Sequence, residues 1–333
     1  MVGVYIHVPF CRKRCPYCAF VLIESDGSLH DRFVDKVCRE IEAARPRART
    51  LYFGGGTPSL LGAEQLGRLI RSVGGGPEEI TVECNPEGLK LAGLRDAGVT
   101  RLTLGIQALD DGLLQRLGRE HDADGARRAY REASRLFENI CVDLIFGVPG
   151  QTLEGWRRTL EEVRSWRPAH VSLYGLTYEQ GTPFEKVRDR QPEERERAMY
   201  EQAMESLSDY HHYEISNWAL PGRESKHNRA YWEGRPYLGF GPGAHSYAAP
   251  ERWWNLSNVR EYLDRGDVVA GRETLTPEQV RTEGLLLGLR QDAGVEMGSI
   301  PAGLENFLVR VDGRVRLTRA GKCVADSVIA KLV

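Results

Sequence analysis

The stretch Val2-Gly3-Val4-Tyr5-Ile6-His7-Val8-Pro9-Phe10-Cys11-Arg12-Lys13-Arg14-Cys15-Pro16-Tyr17-Cys18 joins a strand candidate to a tight cysteine loop. Val2 to Val8 is short, apolar and β-branched, which suits a buried strand. Three cysteines spaced C-x3-C-x2-C follow at once and can wrap one metal centre. Thiolates hold iron–sulfur clusters, usually four to a cubane. Three protein thiolates leave one iron with an open position, where a metal can act on a ligand. A structural zinc site is the competing reading, with His7 or a later cysteine as fourth ligand, although zinc pairs are more often C-x2-C twice.

Working outward, the same strand-then-loop pattern recurs. Thr50 to Phe53, Ile80 to Cys84, Arg101 to Gly105, Ile140 to Phe146 and His170 to Leu176 are further strand candidates. Helical spacing lies between them. Phe33, Val34, Val37, Cys38 and Ile41 make one apolar stripe. Further helices are expected at Glu64–Ser72, Pro86–Ala97, Asp111–Leu117, Asp122–Phe137 and Leu153–Trp166. Strand–helix units in series imply parallel neighbours, because parallel strands need crossover connections. The expected fold is α/β: an incomplete parallel β/α barrel of about six strands, with a doubly wound sheet as the competing architecture. In such folds ligands gather at the strand C-termini. There lie the cysteine loop, Gly54-Gly55-Gly56-Thr57, Glu83 with Asn85, Gln107, and Asp143 ahead of Gly147-Val148-Pro149-Gly150. One shared cleft is expected.

Past Tyr178 the pattern loosens. Glu193 to Ser208 reads as a surface-lying helix, and Tyr213 to Tyr247 is aromatic-rich with little periodicity. Composition shifts near Arg265 to Glu273. Thr276-Pro277-Glu278-Gln279 then has the form of an N-cap, a first-turn proline and a capping-box glutamine. Asp312-Gly313 marks a hairpin, and a last helix begins at Thr318. The expected division is a barrel core at 1–180, an extension at 181–265 and a small winged-helix-like α+β unit at 266–333.

Composition bounds the function. The 333 residues are 41% hydrophobic and 28% charged, with net charge −2, which provides no basic field for nucleic acid. No apolar run is long enough to span a bilayer, and the first ten residues lack the marks of a signal peptide. Seven cysteines, an odd number, argue against a disulfide framework and for a reducing cytoplasm.

The cysteine loop strongly resembles the cluster motif of the radical SAM (S-adenosylmethionine) family. More narrowly, it resembles the branch holding oxygen-independent coproporphyrinogen III dehydrogenase and the related haem chaperones. Phe53-Gly54-Gly55-Gly56-Thr57-Pro58, Glu83-Cys84-Asn85-Pro86, Gly105-Ile106-Gln107, Gly118-Arg119 and Asp143-Leu144-Ile145-Phe146-Gly147 extend the resemblance over most of the chain. It implies a [4Fe–4S] cluster on Cys11, Cys15 and Cys18, with SAM chelating the fourth iron through its amino and carboxylate groups. It further implies SAM pockets lined by Tyr5, Tyr17, Gly55, Gly56, Thr57, Glu83, Gln107, Arg119 and Asp143. Gly54 to Gly56, without side chains, would let the backbone approach SAM. Arg119 suits a carboxylate.

Two features separate the chain from the dehydrogenase. Phe20 stands where that enzyme's pattern has a fourth cysteine, and the first strand begins at residue 2, where the dehydrogenase has an N-terminal extension. The chaperone branch carries an H-N-x-x-Y-W stretch, and here His227-Asn228-Arg229-Ala230-Tyr231-Trp232 matches it. By that resemblance haem is the cargo, His227 its axial ligand and Trp232 a packing partner, with haem-accepting proteins as partners. His245, His211 and His212 are rival ligands, and His7 is expected to hydrogen-bond near the cluster loop. No catalytic residue is assigned. Haem carriage, radical methyl transfer or cyclopropanation, and coproporphyrinogen dehydrogenation all stay open, as do a dimer and peripheral membrane contact.

Overall fold

In the computed structural model, which describes residues 1–332, the six expected strands are present and adjacent. They are β1 (Val2–Val8), β2 (Ala48–Gly55), β3 (Glu79–Cys84), β4 (Arg101–Gln107), β5 (Ile140–Phe146) and β6 (His170–Gly175). All five neighbouring pairs are parallel. Along β1, Val4, Ile6 and Val8 are fully buried in the main core. The alternate residues Tyr5 and His7 lie against β2 at Gly54 and Gly55. That two-residue period is what lets one strand serve both a core and an interior wall.

The strand number differs from the expectation. The sheet has twelve strands. Six more come from the stretch without clear periodicity: β7 (His211–Glu214), β8 (Asn217–Ala219), β9 (Tyr237–Phe240), β10 (His245–Ala248), β11 (Glu251–Asn255) and β12 (Val269–Thr274). Their order is β12-β11-β10-β9-β1-β2-β3-β4-β5-β6-β8-β7. The parallel block is therefore seven strands, because β9 returns to pair with β1 from Gly3↔Tyr237 to Ile6↔Phe240. β7 and β12 form the two ends, so the barrel stays open. Strands of three to six residues are too short to declare a period, and pairing alone makes them visible.

Helices cover the outer face. α1 (His30–Ala44) buries the whole predicted stripe and ends at Arg45 in a left-handed conformation before Pro46. α2 (Ala63–Ser72), α3 (Leu91–Asp96), α4 (Asp111–Arg116), α5 (Ala123–Ala133) and α6 (Leu153–Trp166) follow in turn. α7 (Glu193–Ser206) does more than lie on the surface: Met199, Tyr200 and Ala203 are buried, and Trp156 of α6 donates to the Met199 carbonyl at 2.8 Å. α8 (Lys226–Trp232) and α9 (Val259–Asp264) complete the barrel side.

The main sheet runs on through Thr274, and a second core begins with α10 (Pro277–Leu289). Thr276 and Gln279 form the reciprocal capping box. Leu289, Val295, Leu308, Val315, Leu317 and Ile329 share this smaller core. Its hairpin, β13 (Leu308–Val311) and β14 (Arg314–Leu317), turns at Asp312 and Gly313, both with positive φ. Among the described residues no helix is long and apolar enough to cross a membrane.

Candidate functional site

The cysteine loop leaves β1 and is folded back by a two-residue pairing of Phe10–Cys11 with Ile23–Glu24. Arg14 holds it closed. Its guanidinium donates to the carbonyls of Cys18 (3.1 Å), Phe20 (3.3 Å) and Leu22 (2.8 Å). The Cys18 N–H donates to the Cys15 carbonyl at 3.1 Å, a tight turn that sets the last two cysteines close. All three thiols are free.

They open onto a cavity of about 380 Å³ at the C-terminal ends of the strands. Its wall includes Tyr17, Gly55, Gly56, Thr57, Glu83, Gln107, Arg119 and Asp143. The structure thus brings together every expected cluster and SAM residue except Tyr5. A polar chain runs round the rim. The Cys11 thiol lies 3.4 Å from the Thr57 hydroxyl, and Asn85 donates to that hydroxyl at 3.2 Å. The Asn85 carbonyl oxygen accepts from Arg119 at 2.6 Å, and Arg119 reaches the Cys15 sulfur at 3.6 Å. Gln107 sits at φ 66° where the β4–β5 register shifts, so a non-glycine residue holds left-handed backbone at the cavity wall.

Two carboxyls face this space. Glu83 accepts from the Tyr52 hydroxyl (2.8 Å) and the Gly55 N–H (3.1 Å), and burial pushes its pKa up to about 7. Burial likewise raises Asp143 to about 6. The Cys11 thiol is pushed up to about 11, chiefly by burial, and Cys18 is raised for the same reason. Cys18 and Cys15 further oppose ionisation of Cys11, and Cys15 that of Cys18, while Arg119 favours both. Thiolate ligands here would depend on a metal centre to offset that penalty.

The donor set suits an iron–sulfur cluster, whose irons are held by thiolates. A cubane binds each thiolate to its own iron, so three thiols need only share one cavity mouth. Arg119 Nε is buried without a partner at the same rim, one donor still lacking an acceptor. These features fit a cluster with a carboxylate-bearing ligand beside it.

Several expected residues lie elsewhere. Tyr5 is behind the wall: its hydroxyl donates to His7 Nδ1 at 3.0 Å and its ring stacks on Tyr52. His7 Nε2 donates to the Val21 carbonyl at 2.6 Å, as expected for a residue bracing the loop. The glycines owe their identity to this packing. A Cβ on Gly55 would sit 2.6 Å from the His7 ring, at φ 108°, and one on Gly56 would sit 2.6 Å from the Phe10 carbonyl oxygen. Protein atoms already occupy the side that a side chain would need.

His227 is a buried side chain with both ring nitrogens engaged. It is 2% exposed on α8. Its Nδ1 pairs with Thr50 Oγ1 at 2.8 Å, its Nε2 with the Tyr231 hydroxyl at 3.0 Å, and its ring stacks on Tyr52. Burial lowers its pKa to about 3. Both nitrogens are used, so an iron bond would displace a core contact. Among the rival histidines, His212 stacks on Trp218 with ring centres 3.8 Å apart, and His211 pairs with Glu224 and Asp292. His245 is exposed beside Trp254. Trp232 lines a second, larger cavity with Tyr231, Tyr237 and Tyr247.

Sequence reasoning gave Asn85, Arg14 and Tyr174 no role. Asn85 was visible at the end of its strand, but its bridging role needs Thr57 and Arg119, 28 and 34 residues away. Tyr174 lines both cavities, and nothing in its local sequence marks it.

Residues 5–163 match the Radical SAM superfamily. The chain is 36% identical over 321 residues to "Heme chaperone HemW" of Bacillus subtilis, covering 89% of this chain and 85% of that protein. It is also 36% identical over 368 residues to "Heme chaperone HemW" of Mycobacterium tuberculosis, covering 99% and 94%. The coproporphyrinogen III oxidase HemN of Escherichia coli superposes with a TM-score of 0.84 over 99% of this chain and 89% of that one. At 20% identity that likeness shows the fold alone. The strand-end cavity with its three free thiols, and relatives alike over nearly the whole length, lead to one conclusion: the chain belongs to the HemW heme-chaperone family of the radical SAM superfamily.

Proposed function

We propose that this protein binds haem and delivers it to haem-dependent proteins in the cytoplasm, with a [4Fe–4S] cluster and SAM as its resident cofactors. Cys11, Cys15 and Cys18 hold the cluster. Thr57, Glu83, Gln107, Arg119 and Asp143 contact SAM, with Arg119 on its carboxylate. The cluster, when bound, supplies one-electron chemistry. The protein's own part is to hold the thiols through Arg14 and the polar rim, and to offer two carboxyls for a cationic ligand.

The observation that carries this reading is the convergence of three free thiols and eight further motif residues on one cavity, in a chain 36% identical to curated heme chaperones. Phe20, 61% exposed at the cavity mouth in place of a fourth cysteine, favours carriage over dehydrogenation. The test is a haem titration of anaerobically reconstituted protein, followed by incubation with a haem-free acceptor and assay of the acceptor. Saturable binding and transfer are expected. No haem binding, or turnover of coproporphyrinogen III, would overturn the proposal.

A further inference from the structure

The second cavity is the larger one, about 910 Å³ against about 380 Å³ for the thiol-lined cleft. Its volume is near the top of the roughly 300–1,000 Å³ range of ligand sites. One side is the open edge of the half-barrel: Asn217 from β8, Tyr231 and Trp232 from α8, Tyr237 from β9 and Tyr247 from β10. The other side is α10 with its C-cap, which contribute Leu286, Leu287 and Arg290 from the unit with its own core. Tyr174 belongs to the walls of both cavities, so an occupant here lies one side chain from the cofactor cleft.

Three of the wall residues carry a buried polar atom with no partner: Asn217 Oδ1, Trp232 Nε1 and Arg290 Nε. Such atoms are rare in folded proteins and each needs a reason. Two of the three are donors and neighbours, because the Arg290 guanidinium lies 5.4 Å from the Trp232 ring centre. A carboxylate arriving at that corner is the group that satisfies both. Arg290 is also the cation best placed to receive one. Arg252 is engaged by Glu273 and Glu283, and Arg235 by Glu233, whereas the partner of Arg290 is Asp326, 89% exposed in solvent. Aromatic walls suit a flat ring system. The wall contains no histidine, cysteine or methionine.

We propose that this chamber is the cargo site, and that it holds a planar tetrapyrrole by its faces and one carboxylate arm, without an axial bond from His227. Trp232 and the tyrosines pack on the macrocycle, and Arg290 with the Trp232 indole N–H receives the carboxylate. His227 acts only by positioning Tyr231 through their hydrogen bond. α10, set in a separate core, closes the chamber, so release needs no break in the barrel sheet. This inference rests on the proposed haem carriage and assigns where and how the ring is held.

The test compares haem with metal-free protoporphyrin IX on the reconstituted full chain, by fluorescence quenching of the protein and by absorption. Wild type is expected to bind both within about threefold. Arg290→Gln and Trp232→Ala should each weaken both ligands roughly tenfold or more, the scale of one charge-assisted hydrogen bond or a lost aromatic wall. Cluster iron content and the thermal melting point report folding of each variant. Arg290 follows the last turn of α10 and lies outside the sheet, so Arg290→Gln guards against a fold failure in Trp232→Ala. Haem bound with metal-free porphyrin rejected would mean that iron ligation holds the cargo, and the chamber assignment falls while carriage stands. Full affinity in both variants would overturn it as well. No haem binding by wild type would remove the carriage reading itself.

Discussion

The two cavities of this molecule are built by opposite routes. The thiol-lined cleft is assembled from consecutive strand ends, each marked in the chain by a short run of glycine, polar residues or cysteine. The chamber is assembled from residue 174, residues 214–217, 228–252 and 280–290, pieces with no common pattern. A parallel β/α sheet puts every strand C-terminus on one side, so a motif after each strand reaches the same place wherever it stands in sequence. A chamber between a sheet edge and a helix of another core has no such rule. Its walls become neighbours only because β9 pairs with β1 and α10 packs across α8.

If the two are separate sites, variants should divide cleanly between them. The largest effect is expected from replacing Cys11, Cys15 and Cys18 together, which should reduce reconstituted iron from about four per chain to background. Replacing Cys38 or Cys323 should leave it intact. Porphyrin binding should survive the triple replacement; its loss would show that the chamber depends on the cluster.

Gly56→Ala comes next. Its Cβ would lie 2.6 Å from the Phe10 carbonyl oxygen and 2.9 Å from the Phe10 nitrogen, backbone atoms that cannot rotate aside. The expected cost is roughly 1–3 kcal/mol, the scale of overpacking, together with a weaker effect of SAM on the cluster's electron paramagnetic resonance signal. An unchanged melting point and unchanged signal would refute the packing account of this glycine.

The carboxyls predict a pH dependence confined to the cleft. Glu83 and Asp143 are raised to about 7 and about 6, mainly by burial. Their neutral forms therefore contribute stability that is fully present below the ordinary carboxyl range. That contribution is lost as pH rises through about 6 to 7. SAM carries a cationic sulfonium, which favours the ionised carboxyls, so its affinity should rise over the same window. Glu83→Gln should flatten both curves, as read by melting point and by SAM titration. Porphyrin affinity should show no matching step.

The smallest expected effect concerns the chamber's helical wall. Thr276→Ala removes the N-cap of α10 and half of its capping box, which should cost about 1 kcal/mol. Thermal unfolding measures it. Cluster content should not move, and faster porphyrin release in stopped-flow would tie α10 to the chamber.

Legible in the residues alone were the six consecutive parallel strands, their crossover helices, the Thr276 capping box, the Asp312-Gly313 hairpin and the residues that line the strand-end cavity. Each rests on local physics: a two- or 3.6-residue period, a cap, a turn that needs positive φ, or three cysteines within eight residues. Tertiary structure decided the rest. It added six short strands that have no period of their own. It set Tyr5, His7 and Phe10 behind the glycine run, a packing constraint that no local pattern displays. It also turned His227 from a presented imidazole into a core side chain, because Thr50 on β2 and Tyr231 one turn further along α8 take both its nitrogens. A residue's type announces what it can bind, but only the fold sets which partner reaches it first.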